Sequence, residues 1–240
     1  ELARDILIIT KEQTAGRVPV YAGANSITTR DAVRLVEIAA DVGVDAVSVL
    51  TPMFISLSDD ELYAHYKAVA ASTDKAVILY NNAPKTGVNL RPALVEKLAD
   101  IENIVGIKDS AGDFTQTIDY INRTKGKAFH VMMGRDTLIY ATLCHGGTGA
   151  VAACANVAPE IVSGIYNEWK RGNHAAALEY QMRLAPLRLA FSLGTFPAVI
   201  KEGLKLRGID AGNCFAPISP LKDEERKQLR SVMERMGLIQ

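Results

Sequence analysis

The chain has 240 residues, 48% of them hydrophobic and 22% charged, a balance that suits one sizeable globular core rather than a disordered or fibrous chain. Lys plus Arg and Asp plus Glu match at 27 each, so the composition carries no nucleic-acid or membrane-surface signature. The three cysteines, Cys144, Cys154 and Cys214, show no CxxC spacing, which argues for reduced thiols in a cytoplasmic setting and against a disulfide framework or a zinc site.

The first residues, ELARDILIIT, read as the middle of a helix without a start signal, so the chain is expected to begin late in its fold. No signal peptide is visible, and no apolar run approaches the roughly 18 residues a membrane helix needs. From Arg17 onward strand and helix patterns alternate. Residues 18–23 (VPVYAG) are a β-branched run, and residues 25–29 can cap a helix running through Val44. Residues 46–50 form the next strand, 51–56 its exit loop, and Ser58 with Glu61 opens another helix. A strand at 76–80 is followed by a loop at 81–87 and a helix at 91–98. The strand 104–107 delivers Lys108, and a helix near 114–124 follows. Residues 130–133 are a strand, 136–144 a helix and 149–153 a last strand. Short apolar strands alternating with helices predict parallel βαβ units and an α/β fold. About six units are present, two short of the eight that close a TIM barrel, and a doubly wound sheet is the alternative. After Pro159 the pattern is helical, near 159–171, 174–192, 195–207 and 222–236, with Pro186 and Pro197 expected to kink or start helices. Residues 1–158 are thus expected to form the barrel part and 159–240 a helical extension packed on it as a single structural unit, with apolar surface to spare for subunit contact.

Active sites of parallel α/β proteins collect at the C-terminal ends of strands. Three strands here end in polar groups: one at Tyr80, with Asn81 and Lys85 just beyond, one at Lys108, and one running out through Arg135 and Asp136. A strand-end lysine either points into a solvated loop or enters a dry pocket, where it can lose its proton near neutral pH and condense with ketones. A tyrosine on the neighbouring strand is either a half-buried core aromatic or an acid–base group beside that amine. Asp109 and Ser110 either orient the loop after Lys108 or serve a simple turn.

The segments ILYNNAPKTG (78–87), IVGIKDSAGD (104–113) and GAVAACANVAPE (149–160) resemble those of the dihydrodipicolinate synthase / N-acetylneuraminate lyase family, and the similarity runs from about Gly16 onward. The resemblance implies a class I, pyruvate-handling aldolase on a TIM (β/α)8 barrel, needing no cofactor and assembled as a homo-oligomer, by family analogy a tetramer. It implies that Lys108 forms the Schiff base with the keto acid and that Tyr80 relays protons. The backbone around Val151 would contact pyruvate, and Lys85 lies where many members carry an arginine for a substrate carboxylate. Family members hold the pyruvate carboxylate with a Gly-Thr-Thr/Ser-Gly-Glu loop after their second strand; this sequence contains no such motif, so the first two βα units are expected to be absent from the chain.

Two departures bear on substrate. Dihydrodipicolinate synthases carry a tyrosine pair after Thr-Pro, the second donated across a subunit interface, whereas here Thr51-Pro52 precedes Met53-Phe54, with no hydroxyl. With Lys85 in place of arginine, a bidentate clamp on an aldehyde's carboxylate is also lost. Both point away from strict 4-hydroxy-tetrahydrodipicolinate synthesis and towards another 2-oxo acid aldolase or lyase, such as one acting on 2-keto-3-deoxy sugar acids. Met53 and Ile27 replace polar residues of the family's lysine-feedback pocket, so no lysine inhibition is expected.

The rivals are a non-catalytic 2-oxo acid-binding relative and a phosphate-binding barrel in which Lys108 serves as a point charge. The latter needs a glycine-rich loop where residues 155–159 read ANVAP. Residues 145–149 (HGGTG) look like a phosphate cradle but precede their strand, so they read as a tight helix-to-strand turn. The four histidines, 65, 130, 145 and 174, lack metal-ligand spacing, and Cys154 is expected to be a small core residue on an apolar strand.

Overall fold

Short β-branched and aliphatic runs separated by capped helices give six strands in the computed structural model, which describes residues Glu1–Gln240. They are β1 (Tyr21–Gly23), β2 (Ala46–Leu50), β3 (Ala76–Asn81), β4 (Ile104–Asp109), β5 (His130–Met133) and β6 (Gly149–Ala150). The strands stand in chain order across one sheet, and β1/β2, β2/β3 and β3/β4 pair in parallel. An order without reversal has no switch point, which removes the doubly wound alternative. The chain divides into two compact units, one of residues 1–132 with 145–148 and one of residues 133–144 with 149–240.

In the first unit the strands are apolar up to their C-terminal ends, Ser48 excepted, and Val47, Val49, Val77, Leu79, Ile104 and Ile107 are all buried. Val36, Tyr66, Leu94, Leu98 and Tyr120 complete that core from the helical layer. The helices start where the sequence supplies caps. Thr28 accepts from the Asp31 N–H ahead of helix Thr29–Val42, and Ser58 forms a capping box with Glu61 ahead of helix Asp59–Ala71. Asp113 accepts from the N–H groups of Thr115 and Gln116 to open helix Phe114–Arg123. The strand expected over 18–23 begins only at Tyr21, because Pro19 brings no N–H to a ladder. The Val20 N–H is instead taken by the Asp45 carboxylate at 2.7 Å. The loop expected at 81–87 contains a helical turn, Ala83–Thr86, whose proline sits at the helix start, where a missing N–H costs nothing.

Gly106 in the middle of β4 marks a close approach of two backbones. A Cβ built there would lie 2.6 Å from the His130 carbonyl oxygen, inside any tolerable contact.

The second unit is mostly helical. A 3-10 turn, Asp136–Leu138, leads into helix Ile139–Cys144, and β6 is followed by a second 3-10 turn, Ala153–Asn156. The strand expected over 149–153 is therefore two residues long. Cys154 is buried as expected but lies in the 3-10 turn rather than on a strand, where its N–H is taken by the Asp136 carboxylate at 2.8 Å. Asp136 also pairs with Arg188 at 3.4 Å, and its carbonyl accepts from Gln181 at 2.9 Å. One buried carboxylate thus ties both 3-10 turns to helix His174–Leu189. That helix passes through Pro186, which brings no N–H for the Met182 carbonyl four residues earlier. Gly164 lets helix Pro159–Lys170 pack on it, since a Cβ would meet the Tyr180 ring at 2.6 Å. Helices Ala198–Leu206, which starts after Pro197, and Asp223–Arg235 close the chain. No helix is long and apolar enough to cross a membrane, and the three cysteines are free.

Candidate active site

Register places the candidate catalytic pair side by side. β3 and β4 are parallel, so their C-terminal ends emerge together, and Tyr80 is the direct partner of Lys108, as Asn81 is of Asp109. Both Tyr80 and Lys108 are half-buried. The Lys108 Nζ stands 4.2 Å from the centre of the Tyr80 ring, over its face. The Tyr80 hydroxyl accepts from the Asn82 side-chain amide at 3.1 Å, which fixes its direction. An amine and a phenol on adjacent strands, both reachable from solvent, supply a nucleophile and a proton carrier.

The loops that frame this pair are tied to each other. The Thr51 N–H donates to the Tyr80 carbonyl at 3.2 Å, and the Thr51 hydroxyl reaches that of Thr86 at 3.0 Å. The Phe54 N–H donates to the Thr86 carbonyl at 3.3 Å. These links hold the helical turn Ala83–Thr86, on which Lys85 is exposed. Phe54 has φ 83°, the left-handed region that costs a residue with a Cβ, and its ring is 91% exposed. Val151 belongs to the second unit; it lies just past β6, is exposed, and donates its N–H to the Met133 carbonyl at 2.9 Å. No group of three or more His, Cys, Asp or Glu side chains is placed to hold a metal ion.

Sequence reasoning named Asn81 and Asp109, the latter as a loop or turn residue, but not the polar layer they form behind the pair. Strand side chains alternate, so Asn81 and Asp109 face away from Tyr80 and Lys108, and both are buried. Asp109 accepts from Thr117 Oγ1 at 2.7 Å, from the Ala111 N–H at 3.0 Å and from Asn81 Nδ2 at 3.3 Å. Asn81 Nδ2 also reaches Asn89 at 3.0 Å and the Tyr120 hydroxyl at 3.2 Å, while its Oδ1 accepts from the Leu90 N–H at 3.1 Å. Tyr120 donates to the Leu90 carbonyl, and Asn89 and Gln116 exchange amide hydrogen bonds at 2.8 and 3.0 Å. Burial pushes the Asp109 carboxyl above the usual carboxylate range, against the pull of its three donors, and burial likewise pushes Tyr120 up. The available signal was one residue of offset: a polar residue directly after each candidate, on a strand with no wet face.

A profile described as the Dihydrodipicolinate synthetase family matches residues 2–236. The 4-hydroxy-tetrahydrodipicolinate synthase of Methanothrix thermoacetophila is 40% identical over 92% of this chain and 75% of its own length. That of Archaeoglobus fulgidus is 36% identical over 93% and 77%. Among solved structures, dihydrodipicolinate synthase from Thermotoga maritima superposes with a TM-score of 0.95 at 31% identity, covering 99% of this chain and 81% of that one. YagE, a prophage protein of the dihydrodipicolinic acid synthase family from E. coli K12 solved in complex with pyruvate, superposes with a TM-score of 0.95 at 32% identity, covering 98% and 81%.

Proposed function

The chain belongs to the dihydrodipicolinate synthetase family, a family of class I aldolase-type lyases, and on that premise we propose that it joins pyruvate, or a related 2-oxo acid, to an aldehyde through a Schiff base on Lys108, or cleaves the corresponding product. The observation that carries this reading is the Lys108 Nζ held 4.2 Å from the Tyr80 ring at adjacent strand ends. The amine adds to the 2-oxo carbon, and the carbinolamine loses water to give an iminium. The iminium draws electrons from the methyl carbon, which loses a proton to become an enamine. The enamine carbon attacks the aldehyde carbonyl, and water then releases the product and restores the amine. Tyr80 carries protons to and from the carbinolamine oxygen and the aldehyde oxygen. Lys85 offers a point charge for a substrate carboxylate, and the Val151 backbone contacts the bound keto acid.

Borohydride trapping with pyruvate, followed by peptide mass spectrometry, tests the reading. The expected result is a reduced pyruvyl adduct on the Lys108 peptide that disappears in Lys108→Ala. No adduct, or one that persists in Lys108→Ala, refutes it, and pyruvate-linked turnover would set aside a non-catalytic binding role.

A second reading concerns the other substrate. An exposed phenyl at Phe54, where hydroxyl chemistry is absent, and a single ammonium at Lys85 in place of a bidentate guanidinium support a 2-keto-3-deoxy sugar acid over the aldehyde of strict 4-hydroxy-tetrahydrodipicolinate synthesis. Pyruvate release from a panel of such sugar acids, compared with condensation onto aspartate semialdehyde, separates the two. We further read the six strands as part of a TIM barrel comprising residues 1–158, with 159–240 as its helical extension, in a cytoplasmic homo-tetramer. Sedimentation analysis checks the assembly.

A further inference from the structure

The back faces of β3 and β4 hold a polar layer that has no part in the chemistry assigned above, yet is joined to it by the backbone. Every member has a partner within it. Asp109 takes Thr117, the Ala111 N–H and Asn81, and Asn81 in turn takes Asn89, Tyr120 and the Leu90 N–H. Its donors come from four places: β3, the 88–90 segment, the turn after β4 that holds Ala111, and helix Phe114–Arg123. In an all-apolar interface these elements could slide past one another by a fraction of an ångström at little cost. A buried carboxyl and amide with directional bonds permit far fewer arrangements, since each misplacement strands a buried polar atom.

We propose that Asn81 and Asp109, with Thr117 and Tyr120, are positioning residues that set the ends of β3 and β4 so that Tyr80 and Lys108 face each other on the opposite side of the sheet. The proposal rests on the Schiff-base reading for its catalytic meaning. The link is covalent and short: Asn81 follows Tyr80 and Asp109 follows Lys108, in matched register. The Ala111 N–H bonded to Asp109 also folds the chain sharply after Lys108, so the same carboxyl fixes both the strand end and the turn that leaves it. Displacing a reacting group by about 1 Å can cost up to 100-fold in rate, so a clamp that removes such freedom has a kinetic signature.

The test uses two shape-conserving substitutions in the intact protein, Thr117→Val and Tyr120→Phe, with Thr117→Ser as the conservative control. The readouts are the rate constant of pyruvate adduct formation under borohydride trapping, the pyruvate concentration giving half that rate, the melting temperature, and crystal structures of the variants. Thr117→Val and Tyr120→Phe are each expected to lower the rate constant at saturating pyruvate about tenfold, in line with a sub-ångström misplacement. Half-saturation should barely change, and Thr117→Ser should recover the wild-type rate. A merely structural role would lower the amount of folded protein, and so the amplitude of adduct, without changing the rate constant. Folded variants that trap at the wild-type rate and keep Nζ 4.2 Å from the Tyr80 ring centre overturn the proposal. If the wild-type protein forms no adduct, the Schiff-base reading falls by itself, and the crystal structures then decide positioning. Nζ drawn away from the ring in both variants but not in Thr117→Ser supports it; an unmoved Nζ overturns it.

Discussion

Gly106→Ala puts the geometry of β4 to a direct test. The added methyl would sit 2.6 Å from the His130 carbonyl oxygen, with the His130 Cβ at 3.2 Å and its carbonyl carbon at 3.4 Å. The nearest atom is backbone, so no side chain can turn aside, and β4 and β5 must separate or tilt. Ordinary carbon–oxygen contact requires about half an ångström or more of movement, and forcing a methyl into a filled core typically costs about 1–3 kcal/mol. For a chain of this size each 1 kcal/mol lowers the melting temperature by about 2–4 °C, so a fall of about 2–12 °C is expected. Gly149 is the internal control: nothing lies within 4 Å of a Cβ built there, so Gly149→Ala should melt within a degree or so of the parent. Differential scanning calorimetry on the two variants decides the matter. A Gly106→Ala protein that melts with its parent would refute the close strand approach, and with it the account of why glycine interrupts an otherwise aliphatic strand two residues before Lys108.

Tyr80→Phe keeps the ring beneath Lys108 and removes only the hydroxyl, so turnover should fall about 100-fold, the scale of general acid–base catalysis, while borohydride trapping slows but reaches the same final amount of adduct at saturating pyruvate; a raised pyruvate concentration for half-saturation with no loss of rate would place the hydroxyl in binding instead. His65 is buried with its Nδ1 2.9 Å from the Thr29 hydroxyl and its Nε2 unpartnered, and burial holds its pKa below the usual value. The unfolded chain therefore binds a proton more readily, and the stability from the neutral ring, full above about pH 6.5, is lost as pH falls towards the lower folded value. Urea midpoints at pH 7.5 and 5.5 should differ by less in His65→Gln than in the parent. Asn103 donates from one amide nitrogen to the Ala70 carbonyl at 2.9 Å and the Thr73 carbonyl at 3.0 Å, tying the end of helix Asp59–Ala71 to the start of β4. Asn103→Ala should cost about 1–3 kcal/mol in chemical denaturation, because it leaves partly buried carbonyls without a donor.

What could be read from the sequence follows from which signals are local. β2 and β5 fall on the expected residues, and β4 begins on its expected first residue, because each is a short aliphatic run bounded by turn residues. Ser58 with Glu61 announced its helix through two side chains three positions apart. The run GAVAA at 149–153 gave no such guidance: its periodicity fits a strand, and what ends β6 after Ala150 is a carboxylate, Asp136, held for the Cys154 N–H from 18 residues away. The helical turn at Ala83–Thr86 was missed although Pro84 stood at its start, a signal outweighed by the Asn-rich surroundings. At the site, Tyr80 and Lys108 were legible as strand-end residues, and register brought them together. The layer behind them was not, since apart from the turn bond from the Ala111 N–H to Asp109 its bonds join residues 8 to 39 positions apart, and no local pattern announces that Asn81 will meet Tyr120.

The alternation of β3 and β4 has a consequence for how such a scaffold can be altered. Tyr80 and Lys108 occupy one side of the pleat, while Asn81 and Asp109 anchor the other. Chemistry and chassis are thereby assigned to even and odd positions of the same strands. The surroundings differ in kind: Phe54 sits on the loop after β2 and Lys85 on the helical turn Ala83–Thr86, both beyond the strand ends. A designer, or natural divergence, can therefore exchange specificity in those loops while the anchored side of each strand stays constant, and new substrates can be tried without renegotiating the placement of the reactive amine.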